Sequence, residues 1–262
     1  MNFDEYVKEV LLICKEEYDK AQAPQEHKDL YENYPHMFVF SCVLDSQLDA
    51  ERVWKIPLIL AEELGGKEFY RFLEKDEEWY INFFNAKKLH RFNTMMAQAI
   101  YSAVQDIHNK WNDDASNMWK GKQSSAQVIY NFYKFKRVGI KIATMAANIL
   151  SREYGIELGD YSAIDISPDV HVKRAMYRLG FLPYKEDIVL ADIDPTMVVY
   201  RAKSLNPSFP GLMDLAFYNI GSKGICQNRK CNAGICPFGK ICKKQGISDE
   251  KFSFIENSSE FK

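Results

Sequence analysis

Hydrophobic positions recur every three or four residues along most of the chain, the spacing of helices that bury one side. Phe3, Val7, Val10, Leu11 and Cys14 form such a stripe over Phe3–Lys20. Apolar segments at Met37–Leu48 and Trp54–Leu64 predict two buried helices, the second broken near its start by Pro57. The aromatic-rich stretch Phe69–Phe84 predicts two short helices. Leu89–Trp111 is the longest periodic stretch, with Met96, Ala99, Ile100, Ala103, Val104 and Ile107 on one side. Further helices are predicted over Ser124–Tyr133, Ile140–Arg152, Val170–Leu179, Pro195–Leu205 and Gly211–Gly221, and Ser248–Lys262 reads as a tail that need not pack. No segment alternates with period two, so the pattern predicts an all-α protein without a sheet.

Composition adds little until it is divided along the chain. With 262 residues and 47% hydrophobic content, there is material for one large core or two modest ones. No apolar run approaches the length of a membrane span, which predicts a protein with no membrane partner. The net charge of −2 argues at first against nucleic acid. Yet residues 1–80 carry 9 Lys/Arg against 19 Asp/Glu, whereas residues 81–152 carry 11 against 3. Lys223–Lys244 adds six basic residues and no acidic one. Two basic stretches on an acidic chain suit a polyanion, since phosphate neutralisation supplies most non-specific affinity for DNA. Solvated helix faces are the plainer explanation of the middle stretch taken alone.

Four of the six cysteines crowd together as Cys226-x4-Cys231-x4-Cys236-Pro237-x4-Cys242. Thiolates repel one another and resist burial, so such a cluster usually binds a metal or forms disulfides. No hydrophobic signal segment is visible after Met1, which predicts a reducing cytoplasmic, nucleoid or nuclear setting rather than a disulfide framework. Zinc sites favour two short knuckles separated by a longer loop, and the nearly even gaps here depart from that. Iron–sulfur ligation fits the spacing better, with zinc as the alternative. Cys14 and Cys42 sit in apolar runs as small buried residues.

A second constellation is the junction Phe135-Lys-Arg-Val-Gly-Ile-Lys-Ile-Ala143. A helix ends, a tight turn contains Gly139, and a helix rich in small residues follows, aiming its first free amides outward where they can meet a phosphate. Lys141 falls in the first turn of that helix. The positive helix end and partial burial would both disfavour an ammonium there, the condition under which a lysine becomes a nucleophile at neutral pH. An isolated lysine at such a position is more often an ordinary exposed residue. Downstream, Ser167-Pro-Asp-Val-His171 announces a helix start with Asp169 as its N-cap. Asp169 could also face a developing positive charge, and Asp165 is the competing carboxylate.

A helix–turn–glycine–helix with lysine two residues after the glycine, an aspartate followed two residues later by histidine, and a C-terminal cysteine cluster occur here in that order. The chain therefore resembles the helix-hairpin-helix DNA glycosylases with an iron–sulfur loop, the endonuclease III superfamily, from about Tyr34 to Cys242. The resemblance implies two helical domains with an active-site cleft between them. One is a helix-hairpin-helix six-helix bundle over 34–153, and the other is an iron–sulfur cluster domain formed by 1–33 and 154–262. It implies Lys141 as the catalytic nucleophile and Asp169 as the catalytic carboxylate. Leu44-Asp-Ser-Gln-Leu-Asp49 resembles the helix whose glutamine fills the gap left by an extruded base, here Gln47. Lys136, Arg137, Val138, Gly139, Arg229 and Lys230 would contact DNA, and Cys226, Cys231, Cys236 and Cys242 would hold a 4Fe–4S cluster. The implied function is a base excision repair glycosylase with abasic-site lyase activity. Its partner would be double-stranded DNA carrying a damaged or mismatched base, bound by a monomer. A monofunctional glycosylase and a non-catalytic DNA-binding relative are the alternatives. Two departures stand out. Lys136-Arg137 replaces the family's Pro-Gly, removing glycine's freedom at positive φ from the first turn, and Cys231 is shifted by two positions in the cysteine spacing.

Overall fold

The structure is a computed structural model that describes residues 1–48, 50–184, 189–227 and 230–244. The described residues form twelve α-helices and contain no β-strand, in keeping with the absence of a two-residue period. The chain divides into two compact units, Gln22–Asp160 and Met1–Ala21 with Tyr161–Lys262.

The first unit holds α2 (Gln25–Asn33), α3 (Pro35–Leu44), α4 (Ala50–Glu63), α5 (Phe69–Leu73), α6 (Glu77–Lys87), α7 (Asn93–Trp111), α8 (Ser125–Tyr133) and α9 (Ile140–Tyr154). Its axis is α3. Every residue from His36 to Leu44 is buried, so this helix is apolar all round, and α2, α4, α7 and α9 pack against it. Its one hydroxyl, on Ser41, is satisfied by donating to the Met37 carbonyl at 3.1 Å. The helix is shorter than the predicted Met37–Leu48, because the chain turns at Asp45–Gln47 and Gln47 takes a left-handed φ of 54°. Pro57 does not break α4; it lies inside that helix, which begins seven residues before it. Ala143, Ala146 and Ala147 are fully buried, as the small-residue side of α9 predicts.

The unit boundaries fall at 21/22 and 160/161 rather than at 33/34 and 153/154. Backbone and side-chain hydrogen bonds explain the difference. Ala23 N–H donates to Glu153 O at 3.1 Å and Gln22 Nε2 to Arg152 O at 3.1 Å, which ties the lead-in to α2 onto the end of α9. At the far side Gly159 N–H donates to Gln123 O at 2.8 Å, holding the segment after α9 to the same unit. The helix α2 itself was not evident from periodicity; none of its residues is buried.

The second unit combines α1 (Phe3–Lys20) with α10 (Val170–Arg178), α11 (Pro195–Leu205) and α12 (Asp214–Ser222). Tyr6, Val10 and Cys14 of α1 share one core with Val172, Met176, Phe217 and Phe238, so helices from both ends of the sequence close this unit together. The Tyr6 hydroxyl donates to Leu179 O at 2.7 Å across that core. A capping box at Asn2 and Glu5 starts α1. The helices α10 and α12 approach so closely that a Cβ on Gly221 would lie 2.5 Å from His171 Nδ1.

Candidate functional site

The hairpin joining α8 to α9 carries five of the residues singled out in the sequence. Phe135 N–H donates to Phe132 O and Val138 N–H to Phe135 O, both at 3.1 Å, with Phe135 and Val138 buried as anchors. Between those anchors Lys136 and Arg137 are exposed. The turn does use positive φ after all, and an arginine supplies it: Arg137 has φ 73°. Gly139 is the N-cap of α9 with φ −87°, and a Cβ there would meet nothing within 4 Å. Arg137, not Gly139, therefore carries the positive φ of this turn. With no side-chain cap on α9, its first amides are left to other acceptors.

Lys141 is exposed rather than partly buried as expected. Its surroundings contain a carboxylate that sequence reasoning missed. Asp45, the C-cap of α3, is partly buried; burial pushes its carboxyl above the usual range while the charge of Lys141 pulls it down. Gln47 lies in the same turn as Asp45 and is exposed, not on a helix as its motif suggested. A cavity of about 1010 Å³ opens at the other end of α3 and α9, beside Tyr34, His36 and Tyr154, and none of the expected site residues lines it.

In the second unit Asp169 caps α10: its Oδ1 accepts from His171 N–H and Val172 N–H, both at 2.8 Å. The competing Asp165 is engaged by Lys203 at 3.0 Å. One and two turns along α10 lie the buried Arg174 and Arg178. Arg174 donates to Cys226 O at 2.6 Å and Arg178 to Gln227 O at 2.8 Å, so α10 holds the start of the cysteine loop through two guanidinium groups. Burial lowers the proton affinity of Arg174, whereas Cys226 and Asp169 raise it.

The loop is built tightly around its cysteines. Cys226 and Cys231 pair as an antiparallel bridge, and Cys226 N–H donates to Ile220 O at 2.7 Å at the end of α12. All four thiols are unbridged and line one small cavity walled by Ala175, Leu179, Ile220 and Phe238. Burial pushes the thiols up, Cys226 to about 11 and Cys236 to about 12, with Cys231 and Cys242 moving in the same direction. Among the described residues no three of His, Cys, Asp or Glu converge on a single ion. Lys230 is exposed on this loop, and Arg229 lies outside the described residues, as does the expected tail from Ser248.

No family model matches the sequence, and no curated protein matches it either. Among solved structures, the chain is similar to that described as a trapped endonuclease III–DNA covalent intermediate, an estranged-adenine complex. The TM-score is 0.57 at 16% identity, over 93% of this chain and 97% of that one. No helix among the described residues is long and apolar enough to cross a membrane. The twelve helices, the α8–α9 hairpin and this likeness together give the chain the all-α, helix-hairpin-helix fold of endonuclease III.

Proposed function

We propose that the protein is a DNA glycosylase of base excision repair that also cleaves abasic sites through a Schiff base formed by Lys141. The observation that carries the reading is Lys141 itself, at the second residue of α9 directly after a hairpin turn, on an endonuclease III fold. The neighbouring structure is a covalent protein–DNA intermediate, which is the chemistry a lysine nucleophile performs. Exposed Lys134, Lys136, Arg137 and Lys141 concentrate positive charge at the hairpin, while the uncapped amides of α9 add donors for a phosphate. Lys230, Lys240 and Lys243 supply exposed charge on the cysteine loop of the other unit.

In this reading the damaged or mismatched nucleotide is turned out of the duplex. The Lys141 amine attacks C1′ as the bond to the base breaks, and the resulting imine permits β-elimination of the 3′ phosphate. Asp169 stabilises positive charge developing on the sugar, using Oδ2, which its capping bonds leave out. Gln47, on its exposed turn, fills the space vacated by the base.

The residues around the four cysteines fit a 4Fe–4S cluster. The four cysteines line one small cavity and would be the cluster's ligands. Burial raises all four thiols, so a cationic centre is needed before they can be held as thiolates, and Arg174 and Arg178 are placed beside them to offset excess negative charge. The cluster would cross-link the loop rather than react. Here α10, which carries Asp169 at its start, also anchors the loop.

The test is reductive trapping. With borohydride and a duplex containing an abasic site, the parent protein should give a stable protein–DNA adduct and a nicked strand. Lys141→Gln should abolish both while retaining duplex binding, and Asp169→Asn should bind but excise bases about 10² to 10⁴ times more slowly. Undiminished trapping by Lys141→Gln would move the nucleophile elsewhere. Base release without trapping in the parent protein would select a monofunctional glycosylase.

A further inference from the structure

The cavity of about 1010 Å³ at the start of α3 and the end of α9 lies wholly within the Gln22–Asp160 unit and includes no residue of the hairpin. Its size is at the upper end of the roughly 300–1,000 Å³ typical of sites for small ligands. Rings form its wall: Tyr31 of α2, Tyr34 and His36 at the start of α3, Phe69 of α5, Trp119 and Tyr154. They brace one another and the core behind them. Tyr31 meets Tyr154 edge-on at 5.2 Å, His36 stands 5.2 Å from Phe69, and Trp119 stacks on Phe132 at 6.0 Å. Aromatic faces carry negative charge density and attract cations. The wall already shows that preference, since Lys67 Nζ lies 5.9 Å from the centre of the Tyr34 ring.

Two polar features narrow the ligand. His36, 3% exposed, is the buried polar group of the wall. Its Nε2 lies 2.9 Å from Lys67 O, which can only accept, so Nε2 carries the ring proton and Nδ1 is an acceptor. No donor among the described residues reaches that Nδ1. Burial pushes the imidazole down to about 4, so it stays neutral and keeps this acceptor near neutral pH. The second feature is charge. The lining holds the carboxylates of Glu32, Glu68, Asp113, Asp114 and Glu157 against the ammoniums of Lys28, Lys120 and Lys122. Lys120 is spent on Asp114 and Lys122 on Glu157, while Arg71 and His108 reach Glu68 and Asp113 from outside the lining. Exposed Glu32 meets no cation among the described residues. Such a rim repels phosphate and favours positive charge.

We propose that this cavity is a second binding site, for a ligand other than DNA: an organic cation that carries N–H groups, a guanidinium or an alkylammonium on an apolar stem. The rings receive the stem and the charge, His36 Nδ1 accepts an N–H, and Glu32 supplies the counter-charge at the rim. A neutral ligand forgoes the ring faces and Glu32, and a quaternary ammonium leaves His36 Nδ1 unsatisfied. Two sources share this chemistry, a free amine or guanidine and a lysine or arginine side chain of a polypeptide.

The experiment is calorimetric titration of the full-length protein with n-butylguanidinium, n-butylammonium, the neutral isostere n-butylurea, and tetramethylammonium. Butylguanidinium should bind about tenfold more tightly than butylurea, the gain expected of a partly desolvated cation on aromatic faces. Tetramethylammonium should bind several-fold more weakly than butylguanidinium, and His36→Leu should erase that difference. Glu32→Lys and Tyr34→Leu should each weaken the cations by roughly three- to tenfold and leave butylurea unchanged. If His36→Leu does not fold, those two variants decide alone. Equal binding of butylguanidinium and butylurea, no binding up to on the order of 10 mM, or affinities indifferent to both Glu32→Lys and Tyr34→Leu would overturn the proposal. With the proposal upheld, a glycine-flanked arginine peptide that binds more tightly than butylguanidinium assigns the polypeptide source. One that binds no more tightly assigns the free cation.

Discussion

Arg137 offers a way to separate backbone strain from charge in the hairpin. Its φ of 73° lies in the left-handed region, which costs an L-residue with a Cβ about 1–2 kcal/mol. Glycine adopts that conformation freely, but its more flexible unfolded chain offsets about 0.5–1 kcal/mol of the gain. Arg137→Gly should therefore stabilise the protein by about 0.5–1 kcal/mol, raising Tm by about 1–3 °C for a chain of this size. Arg137→Ala removes the same guanidinium but keeps a Cβ, so it should retain the strain and melt close to the parent, since Arg137 is exposed. Both variants should lose the same affinity for duplex, lowering the log–log salt slope by about one unit if Arg137 neutralises one phosphate. Thermal melting by circular dichroism and salt-titrated binding of a fluorescent duplex read the two effects independently. Equal melting of the glycine and alanine variants would refute the strain argument. An unchanged salt slope in both would remove Arg137 from the DNA contact.

The cysteine loop yields two further expectations. A Cβ on Gly239 would lie 1.9 Å from Ala233 O, a backbone atom, so Gly239→Ala must displace the loop at a cost of about 3 kcal/mol or more; iron content and visible absorbance should fall together, and a fully loaded variant would contradict the packing. In metal-free protein the thiols keep their protons to higher pH in the fold than in the unfolded chain, so the stability they contribute is present below about pH 9 and is lost as pH rises towards 11 and 12. Urea unfolding between pH 8 and 10.5 should show a decline of about 1.4 kcal/mol per pH unit for each such thiol, shallower in Cys236→Ser, and a flat profile would show that these thiols are not perturbed.

Helix periods, the cysteine cluster and the order of hairpin, aspartate and cysteines were legible in the chain, because each depends on neighbours within a few residues. The local signals for α8, α9 and α10 placed their ends to within about two residues. Where packing overrode local pattern, sequence reading went astray. Periodicity carried α3 on to Leu48, but the His90 bond to Leu44 O arrives from 46 residues away and ends the helix there. The positive φ of Arg137 was equally hidden. It is imposed by the buried anchors Phe135 and Val138 on either side, and an arginine in isolation would not choose it. Asp45 carried no motif of its own, since the charge that acts on it comes from Lys141, 96 positions later in the chain. Arg174 and Arg178 likewise carried no motif, since the loop carbonyls of Cys226 and Gln227 that they bond lie 52 and 49 residues further on. The sequence by itself determined most of the helical segments and which residue types could do chemistry. Only the tertiary structure decided which carboxylate, imidazole and guanidinium stand beside them, because those pairings join residues far apart in the chain.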